Sequence, residues 1–130
     1  MTLDEHLVTL DAHLGELNQR FYATLFERHP SVRPLFGIAS RAVQKQMLME
    51  ILSTIAQLDQ PWVRDELGTL AFRHQGDFGV SAEMYRWVND ALLDSVAAVS
   101  PDWSPSLEAA WKERLDQINA IAIAHAGDPT

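Results

Sequence analysis

From Leu3 the apolar residues recur at Leu7, Leu10, Leu14, Leu17, Phe21 and Leu25, in steps of four and three that trace one face of an amphipathic helix. The chain is therefore expected to be helical as far as Arg28. It reads as one rod or as two helices, since Asp11 could cap a second helix and Gly15 stands where a bend is tolerated. The repeat stops at His29-Pro30, too early for a coiled coil, so the stripe is read as core packing. His29-Pro30-Ser31-Val32-Arg33-Pro34-Leu35-Phe36-Gly37 holds two prolines and a glycine and predicts a corner with at most one short helical turn. Leu35 and Phe36 are expected to point from it into the core.

After Ser40 the residues Val43, Met47, Leu48, Ile51, Leu52, Ile55 and Leu58 repeat at three and four, which predicts a helix to about Leu58, where Asp59-Gln60-Pro61 breaks it. Trp62 to Gln75 is the next helical region, interrupted by Gly68. Ser81 caps another helix, with Glu83 in its first turn and a stripe of Met84, Trp87, Val88, Ala91, Leu92, Val96 and Val99 before Pro101. Ser104-Pro105 opens the last helix, a cap followed by proline at the first helical position. Leu107, Trp111, Leu115, Ile118, Ala122 and His125 mark one face of it. No segment alternates with period two, so the fold class is all-α, with about six to seven helices. Tryptophan occurs four times, and these residues are read as core packing.

Composition narrows the function more by exclusion than by assignment. The 130 residues suit one domain with one core, and the lack of cysteine removes disulfides, thiolate metal sites and thiol nucleophiles. Ten basic residues, scattered among eighteen acidic ones, leave a net charge of −8. Nucleic acid and anionic membrane surfaces both require a basic face and are not expected as partners. No apolar run is long enough to span a bilayer, and the acidic N-terminus is unlike a signal peptide, so a cytoplasmic protein is expected.

One residue carries candidate chemistry. Leu70-Ala71-Phe72 leads into Arg73-His74, and Gly76 supplies the freedom that ends a helix, so His74 is expected to face inward. It is either a core histidine satisfied by a backbone carbonyl or an axial ligand to haem iron, for which neutral imidazole is the right donor. Gln44, one turn before Leu48, would be a solvated residue unless a polar group lies under that face.

The order of several pieces resembles a globin of the bacterial single-domain and flavohaemoglobin-type branch. Phe21-Tyr22-x-x-Leu25-Phe26 with Pro30 and Leu35-Phe36 is similar to the B helix and the corner after it. Gln44-x-x-Met47-Leu48-Met49-x-x-Leu52 is similar to the distal E helix. Arg73-His74, Gly79-Val80, Tyr85 and Ala91-Leu92-Leu93 resemble the proximal helix and the start of the G helix. Trp103-Ser104-Pro105 with Ala109-Ala110-Trp111 resembles the opening of the H helix.

The resemblance implies a single globin domain over residues 1–130 around a haem b pocket. His74 would hold the iron, and Phe36 would pack against the porphyrin. Tyr22 would stand on the distal side and donate a hydrogen bond to the gas, with Gln44 as its partner and Leu48 as an apolar wall. The other reading of Tyr22 is a core phenol bonded to a backbone carbonyl. Tyr85 would lie near the cofactor, and Lys45 and Arg73 are the candidates for its propionates. With no histidine on the distal helix, a bis-histidine haem is not expected.

Four departures stand out. Tyr85 follows His74 by one residue more than the family spacing. The chain from Leu48 to His74 is about one residue short, which leaves Val43 and Gln46 as competitors to Gln44. The first helix is shortened. Ala124-His125-Ala126 stands where flavohaemoglobins place an acidic residue near the proximal histidine.

The implied function is reversible binding of dioxygen and other diatomic gases, for storage, transport and delivery, or scavenging. Nitric oxide dioxygenation is a further activity that Tyr22 and Gln44 would suit. No G-x-G-x-x-G occurs, so that activity would require a separate reductase. The alternative reading is the haem-based gas-sensor module of a signalling protein, and a third is a haemless interaction domain.

Overall fold

Thr2 opens the first helix by a reciprocal cap: its hydroxyl accepts from the Glu5 N–H at 3.1 Å, and the Glu5 carboxylate accepts from the Thr2 N–H. The computed structural model describes residues 1–36, 41–67 and 82–126. Helix α1 runs Leu3–Leu10, a 3₁₀ turn occupies Asp11–His13, and α2 runs Leu14–Arg28. The N-terminal stripe is thus two helices, but neither predicted device makes the break. Asp11 caps the C-terminal end of α1, and Gly15 lies within the first turn of α2 with open space around its Cα. Leu10, Leu17, Phe21 and Leu25 stay buried on both sides of the break, so one apolar face survives it.

The corner after α2 holds two short helical turns rather than one: a 3₁₀ turn at Pro30–Val32 and α3 at Arg33–Phe36. Val32 supplies the buried contact there, and Leu35 is 40% exposed, contrary to the expectation that it enters the core. Helix α4, Arg41–Ala56, follows, and then α5, described over residues 61–67 and opened by Pro61. The Arg64 guanidinium donates to the Leu58 carbonyl at 3.0 Å and closes the bend between them. Trp62, read from sequence as core, is 54% exposed, while Val63 and Leu67 turn inward from the same helix. Helices α6, Ala82–Val99, and α7, Pro105–Ala126, complete the fold. The Ser104 hydroxyl accepts from the Leu107 N–H at 3.2 Å, the predicted cap.

Helices α2 and α6 pack most extensively, and α6 pairs in turn with α7. Phe21, Leu17 and Leu25 of α2, Leu48 and Ile55 of α4, Leu92 and Val96 of α6, and Leu107 and Trp111 of α7 form one continuous core. The Asn89 amide donates to Asn119 at 2.7 Å, so the polar pair between α6 and α7 is mutually satisfied. Among the described residues there is no strand, and no helix is long and apolar enough to cross a membrane.

A polar chain fastens α1 to α7 and to the residue that follows α6. The Trp111 indole N–H donates to Nδ1 of the buried His6 at 2.8 Å. That assigns the ring proton to Nε2, which lies 2.8 Å from the Ser100 hydroxyl; the hydroxyl in turn donates to the Val96 carbonyl at 2.6 Å. Every buried polar atom in the run has its partner.

Candidate functional site

Helices α2 and α4 meet at Tyr22. The residue follows Phe21 on the buried side of α2, and its ring lies edge-on to Phe21 at 4.8 Å and tilted against Phe26 at 5.8 Å. The Arg33 guanidinium sits 5.4 Å from the Phe26 ring centre and covers this aromatic group from the corner. The Tyr22 hydroxyl crosses to α4 and donates to the main-chain carbonyl of Gln44 at 2.9 Å. Burial pushes the phenol up to about 12, so it keeps its proton at neutral pH and acts as a donor.

One turn beyond Gln44, Leu48 is fully buried beneath α4. Tyr22, Gln44 and Leu48, which the sequence grouped on the distal side, are therefore on adjoining elements, with the phenol proton directed at α4. Tyr22 meets Gln44 through the main chain. Of the three residues competing for the distal position, Gln44 is half-buried, whereas Val43 and Gln46 are exposed. Lys45 is exposed on the same helix.

Tyr85 lies in the first turns of α6, half-buried, and packs against Ala122 of α7. Its hydroxyl is enclosed and has no hydrogen-bond partner among the described residues, and burial raises its pKa. An enclosed hydroxyl without a partner costs about 1–3 kcal/mol, so it marks a place where a bound group could accept a bond. His74 and Arg73, and the side chain of Phe36, lie outside the described residues. Chain order puts the segment bearing His74 between α5 and α6, immediately before Tyr85.

Sequence reasoning gave no role to His6. The signal was present, because Leu3, His6 and Leu10 keep the three-and-four spacing of the buried face. Its partners Ser100 and Trp111 lie far along the chain and had no local signature.

The globin family model matches residues 19–122. The chain is 30% identical over 119 residues to a flavohemoprotein of Deinococcus radiodurans, a match covering 88% of this chain but 29% of that protein. It is 28% identical over 126 residues to the anaerobic nitrite reductase HBII of Casuarina glauca, with 82% of this chain and 76% of the relative covered. In three dimensions it resembles a Pseudomonas aeruginosa protein described as structurally highly homologous to a human hemoglobin. That likeness has a TM-score of 0.82 at 18% identity and covers 98% of this chain and 100% of the other.

Proposed function

This chain belongs to the globin family, a family that implies haem, and from that premise we propose that it binds dioxygen reversibly for storage, delivery or scavenging. The observation that carries the proposal is the buried Tyr22 phenol, a proton donor held against α4 in an otherwise apolar wall. Two described features support the cofactor reading: Leu48 is buried hydrocarbon on α4, and among the described residues the enclosed Tyr85 hydroxyl lacks a protein partner. His74 would ligate the iron, Phe36 would pack on the porphyrin, and Lys45 and Arg73 are the candidate cations for its propionates. When bound, haem b supplies a ferrous centre that takes diatomic gases.

Tyr22 then sets how long a gas stays. A phenol has one proton, and here it goes to the Gln44 carbonyl; donating to a ligand means withdrawing that bond. A hydrogen bond to a partly charged ligand contributes about 1.5–3 kcal/mol, and the bond withdrawn is worth about 0.5–1.5 kcal/mol. The net gain of about 1–1.5 kcal/mol corresponds to about tenfold in affinity. Tyr22→Phe is accordingly expected to speed dioxygen dissociation about tenfold, measured by stopped-flow displacement with carbon monoxide. An unchanged rate would leave Tyr22 as a core phenol bonded to a carbonyl.

The reading as a whole is tested by the absorption spectrum of the haem-reconstituted protein. A sharp Soret band that shifts on reduction, and again with dioxygen and with carbon monoxide, is the expected result. Failure to take up haem would make the haemless interaction domain the better account. The relatives' names add redox reactions as candidate activities. Nitric oxide dioxygenation would draw electrons from outside these 130 residues, through a reductase. A cytoplasmic setting suits the cysteine-free chain.

A further inference from the structure

Away from Tyr22, an open groove of about 610 Å³ runs between the α1–α2 segment and α4. It is lined by the half-buried Leu7, Leu14 and Leu52, together with Ser53 and Ala56 of α4. Val8 on one side is 75% exposed and Met49 on the other is 48% exposed, so two uncovered apolar side chains line the same depression. Leu7 and Leu52 reach it from the core, against which they are packed on their inner sides.

Two features fix what the groove accepts. Its lining residues fall three and four apart along the chain, at Asp4, Leu7, Val8, Asp11 and Leu14 on one side and Met49, Leu52, Ser53 and Ala56 on the other. Side chains three and four apart form the ridges into which another helix packs, as helices do in globular proteins and in helix-in-groove recognition. The charge is one-sided: Asp4 and Asp11 stand on the α1 bank and no lysine or arginine lines the groove, in a chain of net charge −8. The aspartates are seven residues apart, two helical turns or about 10 Å. Anionic lipid headgroups and free fatty acids are repelled by this rim, and a second copy of so acidic a chain is disfavoured by the same repulsion.

We propose that the groove between α1 and α4 docks a cationic amphipathic helix of a partner protein, with an apolar face over Leu7, Leu14 and Leu52 and two basic residues, two turns apart, against Asp4 and Asp11. None of the groove's lining residues is one assigned to the haem or its ligand, so this inference stands apart from the gas-binding reading.

The test uses a fluorescein-labelled, 18-residue leucine–alanine–lysine peptide designed to be an amphipathic helix with lysines two turns apart. Its binding to the full chain is followed by fluorescence anisotropy. Val8→Glu and Met49→Glu place charge in the apolar banks while making the protein more acidic. Docking predicts that each weakens the peptide at least tenfold with circular dichroism and melting temperature unchanged. Nonspecific attraction to an acidic surface predicts the opposite, tighter binding. Asp4→Asn with Asp11→Asn should weaken binding and flatten its dependence on salt. The proposal is overturned if the wild type ignores the peptide, if the Val8→Glu protein binds it equally or more tightly, or if a glutamate version of the peptide binds as well. Sedimentation that shows a dimer abolished by Val8→Glu would overturn it in favour of a second copy.

Discussion

Replacing His74 by alanine is expected to remove haem from the protein while leaving the helical fold in place. The core formed by α2, α4, α6 and α7 is built from Phe21, Leu48, Leu92 and Trp111, so the far-ultraviolet spectrum should keep its helical form. The iron, by contrast, loses the donor assigned to it. Removing a group that merely orients a metal ligand weakens binding about 10- to 100-fold, and loss of the ligand itself should exceed that range. The measurement is retention of the Soret band through gel filtration, with transfer of haem to apomyoglobin giving the rate. Added imidazole should restore the band by occupying the vacated position. His29→Ala serves as the control, since His29 stacks on Trp87 at 4.1 Å and should keep its haem when replaced. If the His74→Ala protein holds haem with an unaltered spectrum, the proximal ligand is another residue and the family alignment through this segment is misplaced.

The helices were legible because their signals are local. Leucines at three-and-four spacing, a serine before Pro105 and the breaks at His29-Pro30 and Asp59-Gln60-Pro61 act within one or two turns, and each falls where the structure places it. What escaped depends on neighbours distant in sequence. The Asp11–His13 turn interrupts α1 and α2 without disturbing the buried stripe, so periodicity could not reveal it. Trp62 and Leu35 are large and apolar and were assigned to the core on that ground, yet Val63 and Val32 occupy the inward positions beside them. Hydrophobicity says that burial is favourable and leaves open which of two apolar neighbours achieves it.

The candidate site divides along the same line. Tyr22, Gln44 and Leu48 could be grouped because α2 and α4 are each amphipathic and the family order places them together. That the Tyr22 proton goes to a main-chain carbonyl is a matter of how two helices cross, and residue type carries no trace of it. Both sequence readings of Tyr22 are compatible with that bond, since a donor held by a carbonyl can be redirected to a ligand.

The largest stability effect is expected at Trp111. Its indole is fully buried at the centre of the core, and truncating such a side chain to alanine costs about 3–5 kcal/mol, which urea or thermal unfolding would resolve. Trp111→Phe separates the components: it keeps most of the ring volume but withdraws the donor from His6 Nδ1, for an expected loss of about 1–3 kcal/mol. The same bond gives the fold a dependence on pH. Burial holds His6 below its ordinary value of 6.5, against a smaller upward pull from Asp102. With the folded pKa lowered, the unfolded chain takes up the proton first as pH falls. The stability that neutral His6 contributes is therefore complete above 6.5 and is lost progressively below it. Protonation would set a second N–H against the Trp111 N–H, since Nδ1 would change from acceptor to donor. His6→Gln offers an acceptor and a donor but no titration, so its penalty relative to wild type should shrink between about pH 7.5 and about pH 5.5. A penalty that is constant over that range would mean that His6 is equally protonated in the folded and unfolded chains, and that the order of donors from Trp111 to Val96 is wrong.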